Sequence, residues 1–380
     1  MKVLLVDQFG KTTGRDTLAL AELINKKDYI EMQVFLSDNT EIPADRKYSV
    51  KIIKGFHDAY VGNIINKTKN YLMALGELKR YIELNDIDII HLQWFSLPWI
   101  EWLYVGRIAK KHKVVITVHD VIPFDNRPLE MKSLDRIYSR ANMLLMHTNS
   151  SKALFQQTYN TTTPISVITQ GFCLKSDYIR LNNIEAKAHF GIPENAVVFL
   201  YYGTIRPSKG LDILIKAIHM AHTENEDIYL LAAGAFHKVD ENEMRSLIEH
   251  ELTDEYSTMN FGFVPQDEEQ WYFSAANVLC LPYLEVTQSG VAQLGLMYDL
   301  PIIATDVGEM SDVVRNGENG IIIKPGEVNQ LASAIVELAE DGVFRKSASL
   351  KSKELGENEF SLKEKAERVY QVYAGIGGSK

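Results

Sequence analysis

Short apolar runs alternate along this chain with longer stretches in which apolar residues recur every three or four positions. The short runs predict strands buried on both faces, as in a parallel sheet covered by helices, and the longer period predicts amphipathic helices. In the first half, the predicted strands cover residues 3–7, 32–36, 50–54, 87–92, 114–118, 143–148 and 165–168. The predicted helices cover residues 17–26, 63–83, 99–111, 132–140 and 151–159.

The same alternation restarts after a polar stretch at residues 175–187. The second set of predicted strands covers 197–202, 228–232, 259–263, 278–281, 302–305 and 320–323, and the helices cover 211–221, 241–252, 266–275, 290–297 and 328–338. This order predicts an α/β chain of two Rossmann-like, doubly wound parallel-sheet domains that face a central cleft. Ligands of such sheets bind beyond the carboxyl ends of the strands, so we expect the site in that cleft.

The polar stretch and the last helical pattern predict the domain boundaries. We expect an N-terminal domain at 1–175, a C-terminal domain at 176–360, a helix at 361–374 that packs back on the N-terminal domain, and a tail at 375–380. Ser361 is the predicted N-cap of the last helix.

The composition is that of a soluble globular chain, with 46% hydrophobic and 24% charged residues. No apolar run approaches the ~18 residues that cross a bilayer. The first strand reaches Asp7 after four apolar residues, which is too early for a secretory signal. Two cysteines, Cys173 and Cys280, are too few for a disulfide framework. We therefore expect a cytoplasmic protein.

The net charge of −10 argues against general nucleic-acid binding, which depends on neutralising phosphates. The acidic excess lies in the second half, whereas the first half is slightly basic. Its basic clusters are Lys67, Lys69, Lys79 and Arg80, and Arg107, Lys110, Lys111 and Lys113. The second cluster shares a predicted helix with the aromatic segment 98–104, a combination that suits an anionic membrane surface or an anionic acceptor. A solvated lysine face over a buried aromatic stripe is the alternative.

Several partial motifs exclude other chemistries. Gly10 opens a turn that lacks the earlier glycine of a phosphate loop. The backbone of this turn could still approach an anionic ligand. The alternative is that the glycine serves only to make a tight turn. Asp86 and Asp88 precede their strand, at the wrong end for a metal-bound ligand. No Gly-x-Gly-x-x-Gly follows a strand and no Cys/His pattern has ligand spacing, so we expect no nicotinamide cofactor and no metal.

The first strong signal is the turn between strand 197–202 and helix 211–221, which reads Gly203-Thr-Ile-Arg206-Pro-Ser-Lys209-Gly210. It lies at the carboxyl edge of the predicted sheet, among glycines that let a ligand approach. A guanidinium fork and an ammonium point charge at that edge suit a diphosphate. The alternative is that these two cations only flank the start of the helix and bind no ligand.

The second strong signal is the segment 282–293, in which a strand ends, a polar loop follows and a helix begins at Ser289 or Gly290. The free amides and the dipole of a helix start form an anion site. Glu285 in the loop can accept hydrogen bonds from sugar hydroxyls. Gln293, one turn into the helix, is expected to point toward the same cleft. The alternative is that Ser289 merely caps the helix, but this role would explain only one residue of the set.

Together with the segment at 300–308, these two blocks resemble the retaining glycosyltransferases of family 4, the group 1 glycosyltransferases, which have the GT-B architecture. The resemblance covers most of the second half densely and the first half loosely. It implies that the first half faces the acceptor and the second half binds a nucleotide-sugar donor. Arg206 and Lys209 would hold the donor pyrophosphate, and Glu285 would touch the donor sugar. The arginine stands three positions after Gly203, whereas many members carry it directly after the glycine.

The resemblance implies further donor contacts in the second half. Amides that meet the sugar and the distal phosphate are expected around Gln288, Ser289 and Gly290. Gln293 stands where the family carries a second glutamate that grips the ribose, so here an uncharged amide would take that role. Contacts with the nucleobase are expected from Phe263 and Val264.

In the first half, the resemblance matches His119, at the end of strand 114–118, to the active-site histidine that contacts the donor sugar near the reacting carbon. His91 and Trp94, at the end of the neighbouring strand, are candidates for the acceptor side. A histidine at the carboxyl end of such a strand is well placed for function. A structural role is the alternative for each of these residues.

The implied reaction is a metal-independent, retaining hexosyl transfer from a UDP- or GDP-linked sugar to a saccharide or lipid-pyrophosphate-linked acceptor. Bacterial surface polysaccharide or lipopolysaccharide synthesis is the leading context, with the protein in the cytoplasm and, through its basic first domain, peripheral at the inner face of the membrane. A GT-B nucleotide-sugar epimerase is a rival, although Glu285 is the one convincing carboxylate. A non-catalytic homologue that binds nucleotide sugars is another, which Gln293 supports.

Overall fold

The computed structural model describes residues 1–40, 42, 47–57, 59, 63–123, 129–171, 179–286 and 289–378. The chain forms two compact units. The N-terminal unit consists of Met1–Cys173 together with Leu362–Lys380, and the C-terminal unit is Leu174–Ser361. Each unit is a parallel sheet covered by helices.

The N-terminal unit is built on a seven-stranded sheet of order β3-β2-β1-β4-β5-β6-β7, whose paired strands are parallel. The strands are β1 (Lys2–Asp7), β2 (Glu31–Ser37), β3 (Lys51–Gly55), β4 (Ile89–Leu92), β5 (Lys113–Thr117), β6 (Met143–Met146) and β7 (Ile165–Val167). The helices are α1 (Lys11–Asn25), α2 (Ile64–Leu84), α3 (Pro98–Ile108), α4 (Glu130–Tyr138) and α5 (Asn149–Thr158). Alternate residues of β1 enter different cores, with Leu4 and Val6 on one face and Val3 and Leu5 on the other. Burial on both faces explains the uninterrupted apolar strands.

The C-terminal unit carries a six-stranded parallel sheet of order β10-β9-β8-β11-β12-β13. Its strands are β8 (Val197–Tyr202), β9 (Ile228–Gly234), β10 (Ser257–Phe261), β11 (Val278–Leu281), β12 (Ile302–Thr305) and β13 (Gly320–Ile323). Its helices are α6 (Asn183–His189), α7 (Leu211–Glu224), α8 (Glu241–Glu251), α9 (Gln266–Ala275), α10 (Gly290–Met297), α11 (Met310–Val313), α12 (Val328–Glu340) and α13 (Gly342–Asn358). The predicted pair of doubly wound parallel sheets is confirmed.

The last helix, α14 (Leu362–Gly377), belongs to the N-terminal unit and packs on α1. Val369 and Tyr373 are buried in the core that contains Val3 and Leu5. The helix ends at Gly377, three residues into the segment that was expected to be a tail. Its carboxyl end still packs on the N-terminal unit, because Gly377 lies against Met1.

Several helices differ from the sequence prediction: the short helices α6 (Asn183–His189) and α11 (Met310–Val313) were not predicted, and two longer helices differ for identifiable reasons. The first begins at Lys11 rather than at residue 17, since the buried carboxylate of Asp7 accepts hydrogen bonds from the N–H groups of Phe9 and Gly10 and organises the turn. The helix at Gly342–Asn358 was not predicted because its few apolar positions are scattered among lysines, serines and glutamates. Asp341 caps it by accepting from two N–H groups of its first turn.

None of the helices in the described ranges is both long enough and apolar enough to cross a membrane.

Candidate functional site

In the C-terminal unit, the end of β8 leads into the cationic turn that the sequence singled out. Gly203 follows the strand with φ +115°, a conformation that favours glycine, and its N–H donates to the carbonyl of Ala233 on β9. A single 3-10 turn, Pro207–Lys209, carries Lys209 and is preceded directly by Arg206. Gly210 then adopts a left-handed conformation and starts α7.

This turn is fastened to the loop after β11. The carbonyl oxygen of Ser208 accepts the N–H groups of Leu284 at 2.9 Å and Glu285 at 3.4 Å. At Gly210 a Cβ atom would lie 2.0 Å from the carbonyl oxygen of Pro282, so the two segments approach as closely as glycine alone permits. The two blocks, far apart along the chain, are therefore brought together at the carboxyl edge of the sheet.

Lys209 holds its charge in a half-buried position above an aromatic ring. Its Nζ lies 3.4 Å from the ring centroid of Tyr283, a cation–π contact. Burial, reinforced by the neighbouring positive charge of Arg206, lowers the pKa of Lys209 to about 8. Arg206 is exposed, and within the described ranges neither residue forms an ion pair with a carboxylate. The turn thus presents two cations that no described carboxylate neutralises in an ion pair.

The start of α10 lies next to this turn. Ser289 caps the helix by accepting from the N–H of Ala292 at 3.3 Å, and its hydroxyl is 3.3 Å from that of Tyr283. A Cβ at Gly203 would lie 3.5 Å from Val291, which shows that the end of β8 and the first turn of α10 are neighbours. Gly290 is exposed at the first position of the helix. An open helix N-terminus beside two cations is an anion-binding arrangement.

The remaining candidates of this unit lie in different surroundings. Gln293 is buried on α10, and its Oε1 has no hydrogen-bond partner among the described residues. Glu285 is exposed on the loop, whereas Gln288 lies outside the described residues. Phe263 is 88% exposed and Val264 half-buried, because β10 ends at Phe261 rather than at the predicted residue 263.

In the N-terminal unit, Gly10 lies in a crowded turn at the end of β1. Its φ is +69°, and a Cβ there would lie 1.9 Å from the side-chain oxygen of Asn39. Asp7 holds the turn: besides the two N–H groups, its carboxylate accepts the hydroxyl of Thr17 at 2.8 Å. Burial raises the pKa of Asp7, although these hydrogen bonds oppose the shift. The turn at Gly10 is therefore tightly packed. Sequence reasoning missed the role of Asp7 in organising it.

His119 lies at the end of β5 within a network of side chains. Its ring stacks on Trp94, with centroids 3.9 Å apart and planes 9° from parallel. Its Nε2 is 3.0 Å from Oε1 of Gln93, and its Nδ1 is 3.2 Å from Nε2 of His147. Both ring nitrogens therefore already have protein partners, and a direct hydrogen bond from the ring to a sugar would exchange one of them.

His91, the other candidate histidine, is not brought to an open edge. It is 1% exposed, with Nδ1 2.6 Å from the hydroxyl of Tyr373 and Nε2 2.8 Å from that of Thr117. Contact with an acceptor by the His91 ring would require these partners to move, so its position is structural. Trp94 is half-buried and carries the stacking contact with His119.

Burial keeps these imidazole rings neutral. It lowers the pKa of His91 and of His147 to about 3, and that of His119 well below the usual value. The positive charge of Lys365 on α14 acts in the same direction on all three rings. Sequence reasoning missed His147 and Lys365. The signal for His147 was its place directly after β6, close to the place of His119, which is the second residue after β5.

A second buried polar group of this unit also escaped sequence reasoning. Glu101 on α3 accepts the hydroxyl of Tyr71 at 2.5 Å and the N–H of Leu97 at 2.7 Å. Burial raises its pKa to about 7. The carboxamide of Gln8 reaches the same cluster, donating to the hydroxyl of Tyr71 and the carbonyl of Trp94.

The described ranges contain no group of three His, Cys, Asp or Glu side chains that could hold a metal ion. At the carboxyl edges of the sheets, the N-terminal unit has uncharged hydrogen-bonding side chains and the C-terminal unit has two cations.

Known proteins match both halves of the chain. A model of glycosyltransferase family 4 matches residues 22–175, and a model of group 1 glycosyl transferases matches residues 196–341. The uncharacterized glycosyltransferase MJ1178 of Methanocaldococcus jannaschii is 25% identical over 386 residues, 98% of each chain. The capsular polysaccharide biosynthesis glycosyltransferase CapM of Staphylococcus aureus is 25% identical over 198 residues, 50% of each chain.

A solved structure gives the fold. Anabaena HepE, determined in complex with UDP and glucose, superposes with a TM-score of 0.74 at 16% identity, covering 99% of this chain and 100% of that one. The two Rossmann-like units thus form a GT-B fold, as predicted. With both halves matched by models of the same kind, the chain belongs to the family 4, group 1 glycosyltransferases.

Proposed function

We propose that this glycosyltransferase moves a hexosyl group from a nucleotide-diphosphate sugar to a saccharide or lipid-pyrophosphate-linked acceptor, with retention and without a metal. The observation that carries the proposal is the half-buried ammonium of Lys209, which lies beside Arg206 and the start of α10 and forms no ion pair with a carboxylate of the described residues. A desolvated cation of this kind is stabilised by a bound anion, and the donor diphosphate is such an anion.

The chemistry follows from the charge that develops on the donor. As the glycosidic bond to the diphosphate breaks, negative charge grows on the leaving group and positive charge on the anomeric carbon. Arg206, Lys209 and the amides at Ser289 and Gly290 stabilise the leaving group. A diphosphate oxygen on the same face takes the acceptor proton, so no side chain is assigned as a base. Glu285 accepts hydrogen bonds from the donor sugar.

The nucleoside is held by neighbouring groups of the same unit. Gln293 offers its amide to the ribose, and the backbone at Phe263 and Val264 borders the base. Gln288 joins the amides that meet the sugar and distal phosphate. HepE was determined with UDP, which supports a UDP-linked donor, with a GDP-linked donor as the alternative.

Substitution of the two cations tests the phosphate assignment. Arg206→Ala and Lys209→Ala are each expected to lower turnover ~10²-fold or more at saturating donor, because each removes stabilisation of the leaving group. Lys216→Ala, which removes an exposed lysine of α7, is the matched control and should retain full turnover. Near-full activity of either site variant would contradict the assignment.

The products of the same assay separate the rival functions. Transfer to an acceptor, or slow hydrolysis of the donor, supports the transferase. An epimerised sugar would support a nucleotide-sugar epimerase, and tight donor binding without turnover a non-catalytic homologue. A thermal-shift series with uridine, guanosine and adenosine diphosphate sugars identifies the donor, since a bound ligand stabilises the folded state.

The acceptor side is proposed to meet an anionic membrane surface, in bacterial surface polysaccharide or lipopolysaccharide synthesis. The likeness to CapM supports the polysaccharide context. The outer face of α2 supports the membrane: Ile64 and Ile65 are 80% and 74% exposed, and Leu72 and Met73 are exposed on the same face. The basic cluster Lys67, Lys69, Lys79 and Arg80 flanks this apolar stripe. Exposed apolar and basic side chains on one helix suit anionic lipid.

Vesicle co-sedimentation tests this surface. The protein should bind phosphatidylglycerol-containing vesicles at low salt, and the double variant Ile64→Glu/Ile65→Glu should bind at least ~10-fold more weakly, since it loses apolar insertion and adds repulsion. Val343→Glu, an exposed apolar position of α13, is the matched control and should bind as the parent does. Equal binding by all three proteins, or no binding by the parent, would remove the membrane proposal and leave the transferase intact.

A further inference from the structure

Five side chains join the ends of three neighbouring strands of the N-terminal unit in one chain of contacts. Tyr373 on α14 contacts Nδ1 of His91, Gln93 lies between His91 and His119, and His119 contacts His147. The far end of the chain is the carbonyl of Ile168, 3.2 Å from Nδ1 of His147. The family resemblance gives His119 a role at the donor sugar and leaves Gln93 and His147 without one.

The hydrogen-bonding possibilities of this chain select one proton arrangement. A half-turn about the last side-chain bond of Gln93 exchanges its oxygen and nitrogen without other movement. With the oxygen toward His119, the Nε2 proton of His119 goes to Gln93, and Nδ1 of His119 must accept the Nε2 proton of His147. Nδ1 of a neutral His147 then faces the carbonyl of Ile168 without a proton, and two acceptors at that distance repel.

With the nitrogen of Gln93 toward His119, every group is satisfied. Nδ1–H of His147 donates to Ile168, Nδ1–H of His119 donates to His147, and the Gln93 amide donates to Nε2 of His119. Nε2–H of His91 donates to the hydroxyl oxygen of Thr117 at 2.8 Å, with the Gln93 oxygen as a second, longer acceptor at 3.4 Å, and Nδ1 of His91 accepts from the hydroxyl of Tyr373. All donors run in one direction, from α14 to the end of β7, and all three rings are neutral.

We propose that Gln93 and His147 are positioning residues that hold His119 as a neutral imidazole of fixed orientation, with its proton on Nδ1. The inference rests on the proposed function, with His119 near the donor sugar as the family resemblance implies. A neutral ring is what such a place requires, because an imidazolium beside the anomeric carbon would repel the positive charge that develops there. Stacking on Trp94 fixes the ring plane, and the two hydrogen bonds fix the rotation within it.

The charged and titratable groups around His119 favour the same state. His91 on β4, His147 after β6 and Lys365 on α14 all lower its pKa, and Asp16 on α1 acts on Lys365. Because the pKa of His119 is held well below its usual value, the parent enzyme should show no histidine limb in its rate profile between about pH 5 and 8.

Nitrogen-15 NMR of the histidine-labelled parent protein reads the arrangement without relying on activity. The expected signature is a neutral His119 protonated on Nδ1 and bare on Nε2, assigned by its absence from the His119→Phe spectrum. A proton on Nε2, or a charged ring at pH 7, overturns the inference. This outcome is distinct from failure of the proposed function, which would appear as no transfer and no donor binding by the parent protein.

Kinetics of Gln93 variants test the consequence for catalysis. In Gln93→Glu, the carboxylate accepts from Nε2 of His119 and raises its pKa, so kcat should fall at least ~10-fold at pH 6. It should recover only in part as the pH rises, because the neutral ring then keeps its proton on Nε2 rather than Nδ1, with donor KM little changed. Gln93→Leu should lower kcat without a new pH limb. Gln33→Leu removes a buried glutamine of β2 and is the control, with reduced stability and parental kcat. A parental kcat and pH profile for Gln93→Glu would overturn the proposal.

Discussion

Gln293 combines deep burial with an unused hydrogen-bond acceptor. Its Oε1 has no partner in the described part of the chain, although the residue is 6% exposed on the first turns of α10. An unsatisfied buried acceptor costs about 1–3 kcal/mol of folding free energy. A protein retains such a group where a ligand can satisfy it, and the proposed ligand here is the ribose of the donor.

We expect Gln293→Leu to separate stability from binding. The free energy of unfolding should rise by about 1 kcal/mol, because no buried acceptor is left unpaired. Donor affinity should fall about tenfold, which corresponds to the loss of one hydrogen bond. Urea unfolding and titration calorimetry measure the two effects, and Gln270→Leu on α9 should change neither. Reduced stability with unchanged donor affinity would show that the amide serves the fold.

Lys209 shows how far sequence alone reaches at the residue scale. The pair Arg206 and Lys209, with their spacing, predicted cations at the carboxyl edge of a sheet. The approach of Lys209 to the ring of Tyr283 was not predictable, since Tyr283 belongs to a separate strand end and the contact depends on how two loops pack.

At the scale of elements, the junction between the 3-10 turn and the loop after β11 depends on one glycine. Gly210 has φ +66° and lies against the carbonyl of Pro282. The same approach permits the hydrogen bonds from the loop to Ser208. Any side chain at Gly210 would separate the cations from the loop that carries Glu285.

Gly210→Ala should therefore lower the free energy of unfolding by more than the strain of a positive φ alone would. We expect a loss of ~3 kcal/mol or more in unfolding free energy, together with at least a ~10-fold lower kcat/KM. Gly191→Ala is the matched control: its φ is +69°, but the space around it is open, so the loss should be about 1 kcal/mol with unchanged kinetics. Equal losses at the two positions would show that the contact with Pro282 is unimportant.

At the scale of the whole molecule, buried neutral histidines link the stability of the N-terminal unit to pH. The pKa values of His91 and His147 are about 3 in the folded chain and about 6.5 when unfolded. The unfolded state therefore binds more protons below pH 6.5, and stability falls as the pH is lowered from there toward 3. Glu101 acts in the opposite sense, because its folded pKa of about 7 exceeds its unfolded value.

When the pH is lowered from 7 to 5, each buried histidine should lower the free energy of unfolding by ~2 kcal/mol, and Glu101 should raise it by a similar amount. We expect a net fall of roughly 2–4 kcal/mol in the unfolding free energy of the N-terminal unit, and a fall larger by ~2 kcal/mol in Glu101→Gln, which lacks the opposing group. Urea unfolding at pH 7, 6 and 5 measures both. A stability that is flat over this range would contradict the assignment of neutral, buried histidines.

The amino-acid sequence was sufficient for the alternation of strands and helices, the two parallel sheets and the two motif blocks of the C-terminal unit. These features are local: burial on both faces demands apolar strands, and a cationic or capped strand-to-helix turn occupies a few consecutive residues. Tertiary structure decided the rest. The contact of Tyr373 with His91 joins residues 282 positions apart, and no local pattern encodes such a pairing. Burial then sets the protonation of the three rings, because the environment of a side chain belongs to the folded chain.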